Sequence, residues 1–109
     1  MKQQSTYKEL MNIDQDIRIQ MSASPAFVLF NREKIKRFQQ DNAVRLKMLA
    51  DTINELMESH VSKDSKGKFK QIVAPEGQLN RWDFISDENA AVFNKDLEAF
   101  LKKEIQISI

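Results

Sequence analysis

Between Pro25 and His60 the chain runs 36 residues without a glycine or a second proline, and apolar residues recur there at Ile35, Phe38, Leu46, Leu49, Ile53 and Leu56. Steps of three, four, seven and eight residues put these side chains along one side of an α-helix. The spacing predicts one continuous helix. At about 1.5 Å of rise per residue it would be about 50 Å long, against about 30 Å for the diameter of a compact domain of this size. Such a helix needs cover, either from another segment folding back along it or from a second chain. The stripe Ile35, Phe38, Leu46, Leu49, Ile53, Leu56 is therefore a candidate helix interface, narrow enough to suit one partner helix, with Asn42 interrupting it and His60 at its end.

The rest of the chain supports a mostly helical α+β reading. With 109 residues there is room for one domain, 1–109, with a modest core, and 41% hydrophobic against 30% charged residues is an ordinary globular balance. Two glycines and two prolines are too few for a sandwich of many short strands, each turn of which tends to demand them. Ser5 or Thr6 can cap a first helix carrying Tyr7, Leu10, Met11, Ile17 and Met21, with Glu9 completing a capping box. Ser24 and Pro25 end it and start the next helix. That next helix opens on Phe27, Val28, Leu29 and Phe30, apolar all round, which predicts a buried end.

Further on, Lys63–Lys68 reads as a turn, and 68–73 and 79–85 as two short strands joined through Ala74, Pro75, Glu76 and Gly77. Ser86 and Asp87 cap a last helix to about Lys103, with Phe93, Leu97, Phe100 and Leu101 as its stripe. Ile105, Ile107 and Ile109 alternate with polar residues, the period of a strand buried on one face, and this strand is expected to join the hairpin. The expected architecture is a long central helix flanked by two shorter helices, with a small antiparallel sheet made of a β-hairpin and a C-terminal strand.

Several chemistries lack their residues. No cysteine is present, which removes disulfides, thiol nucleophiles and cysteine-held metals. The lone histidine, His60, sits at a predicted helix end where an imidazole serves structure, and Asp14 and Asp16, two apart, point to different sides of a helix. Gly67 and Gly77 are isolated, so no phosphate-cradling loop is visible. The expectation is a non-enzyme with no cofactor and no metal site. The polar first residues carry no signal-peptide pattern, and no apolar stretch is long enough to span a bilayer, which places the chain in a cytoplasm rather than a membrane.

Net charge is +1, but it is unevenly laid out. Arg32, Lys34, Lys36 and Arg37 crowd the start of the long helix, and Lys66, Lys68 and Lys70 the following turn, while residues 71–109 carry seven acids against four bases. Within that helix the bases come early and the acids Asp51, Glu55 and Glu58 late, which opposes the helix macrodipole, so something other than helix stability placed them. The first reading of these seven basic residues is plain solvation of an exposed helix and turn; they are also the candidate partner-binding set, for an acidic protein surface or, less favourably, a nucleic acid, and no DNA-reading motif accompanies them. Phe27, Phe30, Trp82 and Phe84 are either a binding groove or core, and their amphipathic settings favour core.

Three stretches carry a resemblance: Pro25–Phe38 opening a charged helix, the Lys63–Phe69 turn, and Phe93–Ile109 at the end. Together they resemble a group of small uncharacterised proteins encoded by tailed bacteriophages and prophages, over roughly Ser24 to Ile109. The resemblance implies no activity or site residues. It implies a viral protein, made in a bacterial cell, that assembles or binds. The expected role is a virion or assembly component in the host cytoplasm or the virion, and the excess helix length favours a homo-oligomer or larger phage assembly. An effector that blocks a host protein and a nucleic-acid-binding protein are the alternatives.

Overall fold

The computed structural model describes residues 2–108, in the order β1 (Lys2–Thr6), α1 (Tyr7–Ala23), α2 (Pro25–Asp41), α3 (Ala43–His60), β2 (Gln71–Ile72), β3 (Arg81–Trp82), α4 (Asp87–Leu101) and β4 (Glu104–Ser108). The class is α+β, with two small antiparallel sheets, β1–β4 and β2–β3. Packing collects into two compact units. One holds the residues up to Asp51 together with those from Phe100 onward; the other is Thr52–Ala99. Helices α3 and α4 each contribute to both.

In the first unit, β1 and β4 pair from Lys2↔Ser108 to Thr6↔Glu104. Ile105 and Ile107 are buried while Glu104 and Gln106 are exposed, the alternation of a strand covered on one face. Helix α1 packs on α2, and both contact β4. Leu10 and Ile107 are fully enclosed, with Tyr7, Ile35, Phe38, Leu49 and Phe100 also buried. Each such side chain contributes about 1.5–3 kcal/mol by leaving water. The Tyr7 and Phe100 rings stack at 4.3 Å, and Arg45 donates to the Tyr7 hydroxyl at 3.3 Å. The start of α1 follows its sequence signal, because Thr6 Oγ accepts from the Glu9 backbone N–H at 3.3 Å, and the Glu9 carboxylate takes the Ser5 hydroxyl.

Ser24 alone separates α1 from α2. It is extended (φ −142°, ψ 107°); its N–H closes α1 onto the Gln20 carbonyl, and its hydroxyl caps α2 through the Phe27 N–H at 3.2 Å. Pro25 then occupies the first turn of α2, where its missing N–H costs nothing.

The single long helix is not what forms. Asn42 (φ −110°, ψ 13°) divides it into α2 and α3, of 17 and 18 residues and about 26 Å each. The cause is the Asn42 side chain, which is buried to 2% exposure. Its amide N–H group donates to the Phe38 carbonyl and to the Ser108 carbonyl, both at 2.8 Å, and its carbonyl accepts from the Ser108 N–H at 2.9 Å. An asparagine bonding locally in this way competes with helical geometry. The length expected of one helix is carried by two, joined at Asn42, whose N–H bonds the Phe38 carbonyl and whose carbonyl accepts from the Leu46 N–H.

Two further expectations are corrected. The C-terminal strand pairs with β1, not with the hairpin. Lys2–Thr6 shows no apolar alternation, since only Ser5 within it is buried, so pattern alone could not reveal it as a strand. The Phe27–Phe30 end of α2 is not buried either: Phe27 and Val28 are half-buried, but Leu29 is 65% and Phe30 82% exposed. Ile109, expected in the last strand, lies outside the described residues.

The second unit is built on Met57, Val61 and Phe93, with Ile53, Leu56, Phe69, Trp82, Phe84 and Leu97 packed around them. Phe84 meets Phe93 at 5.1 Å, and Phe69 meets Trp82 edge-on at 6.3 Å. The expected hairpin is present but short, Gln71↔Trp82 and Ile72↔Arg81, extended by bridges Val61↔Phe84 and Lys63↔Phe69. Gly67 (φ 79°) closes the turn begun by Asp64, and Gly77 (φ 88°) sits at the third position of a turn from Pro75 to Gln78. Both are conformations that side-chain-bearing residues rarely adopt.

Replacing Asn42 with alanine removes both hydrogen bonds to Ser108. The expected loss is about 2–3 kcal/mol, read from the midpoint of urea unfolding. Asn42→Asp keeps an acceptor and loses the donor, so it should not restore stability, whereas Asn12→Ala on the exposed side of α1 should stay within about 0.5 kcal/mol of the parent.

Candidate functional site

The stripe expected to meet a partner helix is largely consumed by the chain's own packing. Ile35, Phe38 and Leu49 are buried in the first unit; Ile53 and Leu56 pack against the second unit's cluster; Leu46 is half-buried. Exposed apolar surface lies elsewhere: Leu79, between the hairpin strands, is 91% exposed, and on the helices the most exposed large apolar side chain is Phe30 of α2, at 82%.

That surface adjoins a groove between α1 and α2. Its walls are Ile13 and Ile17 on one side and Phe27, Asn31, Ile35 and Phe38 on the other, with Lys34, Arg37 and Asp41 along the rim and Ser108 at one end; it holds about 440 Å³. The volume falls within the 300–1,000 Å³ typical of ligand sites. Helical spacing explains how α2 supplies both floor and rim. Phe27, Asn31, Ile35 and Phe38 follow one line inward, whereas Phe27, Phe30, Lys34, Arg37 and Asp41 follow the adjacent line at steps of three and four. Phe30 thus stands on the same line as the two rim cations. Asp14 on α1 is engaged by Arg18 at 2.9 Å, which leaves Asp16 exposed and unrelated to it.

The seven basic candidates do not act as one set. Arg32, Lys34, Lys36 and Arg37 are all exposed on α2, but only Lys34 and Arg37 reach the groove; Arg32 and Lys36 lie two residues off that line and point elsewhere. Lys66, Lys68 and Lys70 are exposed in the second unit. Their turn is locally built: the Asp64 carboxylate accepts from the Lys66 and Lys68 backbone N–H groups at 2.8 and 3.0 Å, and Lys63 pairs with Glu58 at 2.5 Å while lying over the Phe69 ring.

His60 is held in structure. Its Nδ1 lies 2.7 Å from Asn89 Oδ1, a bond in which the ring N–H donates, and Asn89 in turn is tied to the Ser86 hydroxyl that caps α4. Trp82 and Phe84 belong to the second unit's cluster and also border a more polar hollow of about 690 Å³ between β3 and α4, near Arg81, Asp87 and Asn94. Among the described residues, no group of three or more His, Asp or Glu side chains is arranged to hold a metal ion, and no helix is long and apolar enough to cross a membrane.

No protein-family model matches the chain, and neither curated proteins nor solved structures include a similar one.

Phe30 was expected to be either part of a binding groove or core, with core favoured; at 82% exposure it is not core. The available signal was its place between Phe27 and Lys34 on a line that turns basic.

Placing aspartate at both Ile53 and Leu56 is expected to unfold the second unit rather than to dissociate copies of the chain, seen as loss of Trp82 fluorescence structure at every protein concentration. Replacing Lys34, Lys36 and Arg37 together with glutamate should leave the unfolding midpoint near that of the parent, because all three are exposed.

Proposed function

We propose that this chain works by protein–protein contact, without catalysis, as a virion or assembly component of bacteriophage type. The observation that carries the contact reading is Phe30, 82% exposed and on the same helical line as the groove-rim cations Lys34 and Arg37. Aromatic residues and arginine on exposed apolar ground are what contact surfaces are enriched in, and single-chain packing gives no reason to leave a phenylalanine in water. The phage context rests on the sequence resemblance from Ser24 to Ile109 and on nothing in the packing.

A second reading, a phage effector that binds and blocks a host protein, draws on the internal cover of Ile35, Phe38 and Leu49. That cover removes one reason for the chain to oligomerise while leaving the Phe30 surface free for a different partner. Nucleic-acid binding is the third reading, and it has only Arg32–Arg37 and Lys66–Lys70 to draw on, split between the two units.

Light scattering coupled to size exclusion, run at low and high salt with absorbance at 260 nm recorded, separates these. A protein-only assembly that survives salt is the expected result. A monomer at every concentration moves the assignment to the effector, and a species rich in 260 nm absorbance that falls apart with salt moves it to nucleic acid. Phe30→Ser should leave the unfolding midpoint within about 0.5 kcal/mol of the parent and reduce association, since the side chain is already in water before contact.

A further inference from the structure

We infer that the α1–α2 groove receives the exposed face of α3 from a second copy of the chain, a head-to-tail contact that propagates. The inference rests on the contact reading above and names its partner. Helix α3 carries its own unpartnered apolar residues, Val44 at 80% and Met48 at 50% exposure, and four and seven residues from Val44 the same face presents Met48 and Asp51. At the same spacing α2 presents Phe27, Asn31 and Lys34, all lining the groove, with Arg37 beyond and the exposed Phe30 on the adjacent helical line. Both lines run from an apolar residue to a charge across about two helical turns, about 10.5 Å. The charges are opposite. Laid parallel, Val44 falls against Phe27, Met48 against Phe30 and Asn31, and Asp51 against Lys34, which is helix-in-groove recognition by anchors at i, i+4 and i+7.

The electrostatic balance is compatible with this arrangement. Lys34 and Arg37 form no ion pair among the described residues, and their two positive charges outweigh Asp41 at the rim. Asp51 is bonded to Lys47 at 3.0 Å, but both side chains are more than half exposed, and an i,i+4 pair of that kind is among the weakest. Asp51 therefore exchanges partners at little cost. Because groove and face are different surfaces of one chain, the contact is heterologous. Each copy that docks leaves a groove at one end and a face at the other, so copies either close into a ring or continue as a filament.

The test is complementation between two full-length variants. The groove variant carries Lys34→Glu and Arg37→Glu; the face variant carries Val44→Asp and Met48→Asp and keeps Asp51, so the two altered surfaces are both acidic and do not pair with each other. All four positions are exposed, and circular dichroism establishes that each variant is folded. In sedimentation velocity over a concentration series at low ionic strength, the parent is expected to grow in mean mass and each variant alone to stay monomeric. An equimolar mixture is expected to stop at a 1:1 dimer, since it retains one intact groove and one intact face. A parent that associates while both variants associate equally well overturns the inference and leaves the contact reading in place. So does a mixture that stays monomeric beside an associating parent. A parent that is monomeric throughout overturns the inference together with the assembly role.

Discussion

Two hydrogen bonds between a helix-breaking side chain and the last described residue tie together the parts of the first unit. Asn42 bonds the Ser108 N–H and C=O at once, doing for β4 what a neighbouring strand would do. Leaving those backbone groups unpaired would cost about 1–3 kcal/mol each, and burying an unsatisfied amide would cost more. One residue therefore sets where α2 ends, where α3 begins and where β4 is anchored. With β4 held, Ile105 and Ile107 turn their faces to α1 and α2, and Tyr7 meets Phe100. The interruption that an asparagine makes in an apolar stripe is thus the point from which the stripe acquires its cover.

The same point explains which surface is left. Ending α2 at Asp41 commits Ile35 and Phe38 inward, and Ser24 starts the helix only a single residue after α1 stops. A joint that short leaves no loop to fold over the first turns of α2, and Leu29 and Phe30 stay in water. The groove and its exposed neighbour are a product of how tightly α1 and α2 are connected, with Lys34 and Arg37 placed on the rim by helical spacing alone.

Local signals in the sequence located most of the elements. Thr6, Ser24 and Ser86 cap the helices they were expected to cap, the Asp64 turn and the hairpin are where composition put them, and the alternation of Ile105 and Ile107 marked a strand. What failed was pairing and continuity, which depend on residues far apart. Lys2–Thr6 became a strand only because β4 lay opposite it, and its own polar sequence gave no sign. Asn42 was legible as an interruption, but its partner 66 positions away was not, so the helix appeared unbroken. At the candidate site, the basic residues were visible and their division was not: helix geometry separates Lys34 and Arg37 from Arg32 and Lys36, and the second unit holds the other three. The buried start expected for α2 failed because all-round apolar character records a need for cover without saying who supplies it.

Pairing β1 with β4 also sets an order of events. Lys2 lies opposite Ser108, so the first strand waits for nearly all of the described chain to be synthesised before its partner exists. Until then Tyr7 lacks its stacked ring, and Asn42 has no strand to hold. Residues 52–99, whose contacts are more local, leave the ribosome as a group able to pack first. The unit that bears the groove is completed after the other, and in a chain that associates through that groove the binding surface matures only once residues 104–108 have been made.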